Sequence, residues 1–98
     1  LTSAVLVQVH VDKAFMGTMG FCLNNGLTTT DPNEAYVKRL VADQAGKVIL
    51  LADSGKAEKV SFARVSDWDA VDVLVSDRKL SKLFAKSLRK RGLQVQLA

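Results

Sequence analysis

The stretch Lys47-Val-Ile-Leu-Leu-Ala52, closed by Asp53-Ser-Gly-Lys56, limits the possible fold more than any other part of the chain. Its continuous apolar run is too short for a buried helix and shows no alternation, the pattern of a parallel strand covered on both faces. Parallel neighbours need long crossover connections, and helical patterns stand on both sides of this run. Upstream, Asp31 is a good N-cap, Pro32 fits the first helical position, and Glu34 stands where a capping box places its acid. Val37, Leu40 and Val41 mark the buried face of that helix, and Gly46 is its expected stop. Downstream, Val71 to Ser76 reads as a second buried strand. Lys79 to Arg91 reads as an amphipathic helix stopped by Gly92, and Leu93 to Leu97 as an edge strand.

The first half supplies one more strand, Lys13 to Thr18, ending in Gly17-Thr-Met-Gly20, whose glycines permit a turn and close backbone approach. Residues 22 to 30 read as a loop around the turn signal Asn24-Asn25-Gly26. Ser54 to Lys59 reads as a helical turn, and Val60 to Val65 leads to a polar corner at Ser66-Asp-Trp-Asp69. Thr2 to Val11 is rich in β-branched residues and by propensity is a strand. The alternation of strands and helices predicts a single α/β domain over residues 1–98, built on an open, mostly parallel sheet with flanking helices.

The net charge of +4 is concentrated. Residues 78–98 carry seven basic side chains and no acid, which leaves the first 77 residues at −3. Leu80, Leu83, Phe84 and Leu88 give this segment an apolar stripe, so its basic residues read first as a solvated helix face and second as a contact for DNA or an acidic neighbour. The few aromatics do not form an RNA-stacking surface. Cys22 is the only cysteine and His10 the only histidine, far apart in sequence, so neither a disulfide nor a catalytic thiol is expected. No apolar run reaches the length of a membrane span and no signal-peptide layout is present, so a cytoplasmic protein without membrane contact is expected. No cofactor and no metal site is expected.

Lys56 is the first candidate for chemistry. A lysine just beyond a strand end, beside Ser54 and Gly55, offers a mobile ammonium to an anion while exposed N–H groups take other oxygens. Such ends are where open α/β sheets bind ligands. Asp53 either accepts a ligand hydroxyl, orients Lys56, or caps the following turn. Thr28, Thr29 and Thr30 precede a helix N-terminus, which favours an anion but also gives threonine hydroxyls ordinary backbone work. Glu34 and Lys38 are spaced as an ion pair on one helix face.

In this order Phe15-Met-Gly-Thr-Met-Gly20, Gly26-Leu-Thr-Thr-Thr-Asp-Pro-Asn-Glu-Ala-Tyr-Val-Lys-Arg39, Val48 to Lys56 and Val71-Asp-Val-Leu-Val-Ser-Asp77 resemble the effector-sensing domain of the DeoR/GlpR family of bacterial sugar-operon repressors, over residues 11 to 98. The resemblance implies a partial Rossmann-like domain of the sugar-phosphate-isomerase type, akin to ribose-5-phosphate isomerase and glucosamine-6-phosphate deaminase. It also implies that residues 2–11 are a helix rather than a strand. It places a phosphorylated sugar effector among Gly17, Thr18, Gly20, Thr28, Thr29, Glu34, Lys38, Asp53, Ser54 and Lys56, with Lys56 on the phosphate. Operator DNA would be bound only through an N-terminal winged helix-turn-helix, which by the resemblance lies outside this chain together with the first Gly-rich loop of the sensor. Homo-oligomerisation through the α/β domain is implied too, with the basic helix one candidate surface.

The chain departs from the family pattern at Met19, where a polar residue is usual, and at Gly55, Ala57 and Glu58 in the run usually read Asp-Ser-Ser-Lys-Phe-Gly. Met19 cannot transfer a proton and His10 lies outside the loops, so no acid–base pair for isomerase chemistry is visible. The expectation is a regulator without catalysis, the alternative a fragment of a sugar-phosphate isomerase or deaminase.

Overall fold

Along the first strand, buried Ala14 and Met16 alternate with exposed Lys13 and Phe15, the two-residue period of a strand with one face on a core. A computed structural model describes residues 8–98. In chain order the elements are β1 (Val11–Met16), β2 (Gly20–Cys22), β3 (Gly26–Thr29), α1 (Pro32–Gln44), β4 (Ala45–Leu51), β5 (Ala63–Ser66), β6 (Val73–Ser76), α2 (Lys82–Lys90) and β7 (Gln94–Leu97), with 3₁₀ turns at Ser54–Lys56 and Trp68–Ala70. Strands β1, β4, β6 and β7 form a parallel sheet in that order, and β2, β3 and β5 a small antiparallel one. The α/β class and the open parallel sheet are as the sequence predicts, and the small second sheet is an addition to it.

That addition comes from the stretch read as a loop. Residues 22–30 hold the turn of a hairpin, with Cys22 paired to Gly26 and Gly20 to Thr28. Gly26 sits at φ 67°, the left-handed region, and a Cβ there would overlap the Ser66 carbonyl. Both sterics and backbone conformation therefore demand glycine. Gly26→Ala is expected to cost about 2 kcal/mol or more of stability, since a φ > 0 penalty of roughly 1–2 kcal/mol adds to the clash. A urea midpoint measurement reads it.

The helix boundaries shift for local reasons. Asp31 caps α1 as expected, accepting from the Asn33 amide at 2.9 Å. Glu34 turns to Lys38 instead of back to the cap. α1 ends at Gln44, and Gly46, expected as its stop, lies inside β4, where a Cβ would stand 3.0 Å from the Asp12 carbonyl oxygen. The helix lays Ala35 inward, leaving Leu40 and Val41 half-buried and Val37 41% exposed, so the expected apolar face is only partly used. α2 starts at Lys82 behind the Ser81 cap, three residues later than expected, and buries Phe84, Ala85 and Leu88. Leu83, read as part of that stripe, is instead on the solvated face at 73% exposure. Gly92 ends the helix region at φ 95°. The expected element over residues 2–11 lies mostly outside the described residues, and Val11 belongs to β1.

The core joins the two sheets. Met16, Val48, Leu50, Leu74 and Val95 face α1, α2 and the small sheet in one apolar cluster. At its centre Phe21 packs edge-to-face on Trp68 at 5.9 Å and on Phe84 at 5.5 Å, and the Trp68 indole N–H donates to the Cys22 carbonyl at 2.9 Å. The sulfur of Cys22 itself is half-buried beside the hairpin turn, accepting from the Asn25 amide.

Candidate functional site

Because β1, β4 and β6 are adjacent and parallel, the segments that follow them emerge side by side along the carboxyl edge of the sheet. Strands lie about 4.8 Å apart, so Gly17-Thr18 after β1, Asp53 to Lys56 after β4 and Asp77 after β6 are neighbours. α1 reaches the same edge. The Lys38 ammonium donates to the Gly17 carbonyl at 3.0 Å and pairs with Glu34 at 3.1 Å. Of the residues expected at a site, the fold thus brings Gly17, Thr18, Glu34, Lys38, Asp53, Ser54 and Lys56 to one edge.

The Asp53-Ser-Gly-Lys56 turn is set by its own backbone. The Lys56 amide donates to the Asp53 carbonyl and the Ala57 amide to the Ser54 carbonyl, each at 3.1 Å. The Glu58 amide donates to the Phe21 carbonyl, fastening the loop to the small sheet. The Asp53 side chain makes no capping bond and is exposed. Lys56 is half-buried, and among the described residues it has no ion-pair partner.

Thr18 and the expected residues away from this edge do structural work. Thr18 Oγ1 lies 2.9 Å from the Gly20 carbonyl and 2.8 Å from that of Thr28, with one proton to share between them. Thr28 is buried; its hydroxyl donates to the Gly20 carbonyl and accepts from the Ser61 amide. Thr29 is fully buried, and its hydroxyl has no partner among the described residues. Gly20 passes so near the chain that a Cβ would meet the Lys59 carbonyl oxygen at 2.5 Å, which accounts for this glycine without a ligand.

One residue of the edge escaped sequence reasoning. Asp77 accepts from the Ser54 amide through Oδ2 and from the Lys79 amide through Oδ1, both at 2.9 Å, tying the β4 loop to the β6 loop. The signal was there: an acid directly after an apolar strand, the same argument that singled out Asp53. The Ser54 amide, then its hydroxyl and the Lys79 amide, hold the Asp77 carboxyl below the usual carboxylate range. Since an unfolded Asp titrates near about 3.9, this contribution is complete above that pH and is lost as pH falls through the lower folded value. Urea titrations below about pH 4 should show wild type losing stability more steeply than Asp77→Asn, with parallel curves above about pH 5.

Hollows elsewhere on the molecule differ in chemistry. One of about 420 Å³ between α1 and β5 is lined by Arg39, Asp43, Arg64, Asp67 and Asp69. Its acids outnumber its arginines and Arg64 is already paired with Asp67, so it does not suit an anion. Among the described residues no group of three or more His, Cys, Asp or Glu side chains could hold a metal. Among the described residues no helix is long and apolar enough to cross a membrane.

An open parallel sheet carrying polar loops at its carboxyl edge is an α/β architecture of the kind in which ligands bind at that edge. Sequence comparison makes the assignment specific: the model of the DeoR C terminal sensor domain matches residues 1–78, and the chain belongs to that family. It is 32% identical over 98 residues to the HTH-type transcriptional regulator GolR of Listeria innocua, covering all of this chain and 39% of that protein. It is 33% identical over 90 residues to the HTH-type transcriptional repressor GlcR of Bacillus subtilis, covering 92% of this chain and 34% of GlcR. The HTH-type transcriptional regulator GlpR of Haloferax volcanii is 30% identical over 88 residues, covering 90% of this chain and 34% of GlpR. The chain therefore spans between a third and two fifths of the length of these relatives.

Proposed function

We propose that this domain is the effector-binding part of a transcriptional regulator of sugar metabolism, a repressor by analogy with its relatives, and that its effector is a phosphorylated sugar held at the carboxyl edge of the parallel sheet. The observation that carries this reading is the placement of two cations, Lys56 after β4 and Lys38 of α1, on the edge where β1 also ends; the Ser54, Lys56 and Ala57 amides, expected to be open to an anion, are instead engaged within the chain. Lys56, half-buried and without an ion-pair partner among the described residues, is the phosphate contact. Lys38 is the second cation, and Glu34 beside it holds its ammonium against Gly17. Asp53 accepts from a sugar hydroxyl, and so does the Thr18 oxygen, whose own proton is shared between two chain carbonyls, while the Ser54 hydroxyl turns from Asp77 to the ligand. Gly17, Gly20, Thr28 and Thr29 shape the neighbouring wall, their polar groups being engaged with the chain or enclosed.

The action is regulatory and non-catalytic. An effector moves the equilibrium between operator-bound and free regulator only through a difference in its affinity for the two states. DNA contact belongs to the part of the polypeptide outside these residues, the working form is a homo-oligomer, and the compartment is the cytoplasm. The test uses the whole regulator on its operator. Release by a sugar phosphate without turnover of ribose 5-phosphate or glucosamine 6-phosphate supports the reading, whereas turnover of either sugar identifies an isomerase or deaminase and defeats it.

A further inference from the structure

α1 is apolar on two sides, and the fold uses one of them. Ala35 and Ala42 pack against the core, while Tyr36 and Val37 are 48% and 41% exposed and Leu40 and Val41 are half-buried. At about 100° per residue these four stand around the side opposite Ala35, in the order Tyr36, Leu40, Val37, Val41. Such spacing makes a stripe along which helices pack, and a contiguous exposed apolar stripe is an interaction surface. Charged side chains flank it. Glu34 and Lys38 on one side are paired with each other, whereas Arg39 and Asp43 on the other are in no ion pair among the described residues.

We infer that this stripe is a seam between two copies of the chain, with α1 lying antiparallel on its counterpart about a twofold axis near Leu40. Charge names the occupant. Arg39 and Asp43 have opposite signs one turn apart, and a twofold axis across antiparallel helices brings the same flank of each together. Arg39 of one copy then reaches the partner's Asp43, and the symmetry repeats the pair. A parallel arrangement would set Arg39 beside the partner's Lys38, like on like. The basic helix α2 cannot make such a seam with itself. Its solvated face carries Lys82, Lys86 and Lys90 around the exposed Leu83, and two such faces repel.

Area defines how the seam works. A helix of 13 residues is about 20 Å long and about 10–12 Å wide, so the stripe offers on the order of 200 Å². Chains that associate unaided need about 800 Å² each. The seam is therefore one contact inside an oligomer held by the rest of the polypeptide, closed by an effective concentration in the millimolar range. The relatives compared above carry about three fifths or more of their sequence beyond the part this chain covers. On its other flank α1 carries Lys38 to the Gly17 carbonyl, so the seam and the effector edge share one helix. The inference rests on the homo-oligomer of the proposed function and not on the identity of the effector.

The test is disulfide formation in the whole polypeptide encoded by the gene, its oligomeric state established by sedimentation, in a background where Cys22 and any other cysteine is serine. Leu40→Cys is expected to link two copies. Asn33→Cys, set about 21 Å from its counterpart by helical rise, and Leu83→Cys on α2 should link at least about 20-fold more slowly. Added to Leu40→Cys, either Arg39→Glu or Asp43→Lys puts like charges across the axis and should slow linkage about tenfold. Co-expressed with a tag on one, these two variants complement each other, and the mixed pair should link within about twofold of the Leu40→Cys rate. A monomeric polypeptide overturns the inference and the homo-oligomer with it. In an oligomer, linkage at Leu40→Cys no faster than at Leu83→Cys overturns the inference alone. So does fast linkage at Asn33→Cys, the mark of parallel helices, or a mixed pair as slow as either variant by itself.

Discussion

Trp68→Ala will unfold this domain or bring it close to unfolding. Trp68 is 2% exposed, packs edge-to-face on Phe21 and Phe84, and donates its indole N–H to the Cys22 carbonyl. Truncation removes the largest fully buried side chain, opens a cavity between the two sheets and strands that carbonyl. Large-to-small changes of this kind cost about 3–5 kcal/mol, against a total of roughly 5–15 kcal/mol for natural domains. With a urea slope of about 1–2 kcal/mol/M, the midpoint falls by roughly 1.5–5 M. Phe62→Ala, at a position 84% exposed, should stay within about 0.5 kcal/mol of wild type. A Trp68→Ala midpoint within about 0.5 M of wild type would mean that the two sheets do not share a core.

Lys56→Met separates binding from folding. Methionine keeps the unbranched stem and loses the ammonium, and among the described residues Lys56 has no ion-pair partner to abandon. The urea midpoint should therefore hardly move. Loss of a charge-assisted contact to phosphate costs about 1.5–3 kcal/mol, which weakens sugar-phosphate affinity by roughly 10- to 150-fold in calorimetric titration. Lys38→Met is expected to behave differently. It breaks the Glu34 pair and the bond to the Gly17 carbonyl, so binding weakens together with a small loss of stability.

The parts of the fold that were legible in the sequence are those where one residue type answers one geometric demand. Asp31-Pro32 fixed the start of α1 because capping is local chemistry, and the apolar runs ending at Ala52 and Ser76 gave two parallel strands. What escaped depended on partners distant in sequence. The hairpin of β2 and β3 is too short to show a period, and it exists because β5, some 35 residues on, pairs with it. Gly46 looks like a helix stop in sequence, but the nearness of Asp12 decides its place in β4.

The same division holds at the proposed site. Lys56 and Lys38 were visible as cations beside a strand end and on a helix face. That Thr28 and Thr29 are enclosed follows from the packing of Ser61 and Gly20, and that Asp77 ties two loops follows from sheet order, neither of which spacing can show.

The central claim is that an anionic sugar settles on the carboxyl edge of the parallel sheet. It is tested most directly by thermal melting of the whole polypeptide with paired ligands, each phosphorylated sugar set beside its unphosphorylated parent. Ligand present at about 100 times its Kd stabilises the folded state by about 2.7 kcal/mol, a rise of several degrees. The expected result is that rise for at least one phosphorylated sugar, none for its parent, and a fall to about half of it or less in Lys56→Met, as a roughly 10- to 150-fold weaker affinity requires at the same ligand concentration. A parent sugar that stabilises as strongly as its phosphate, or a rise undiminished in Lys56→Met, would contradict it.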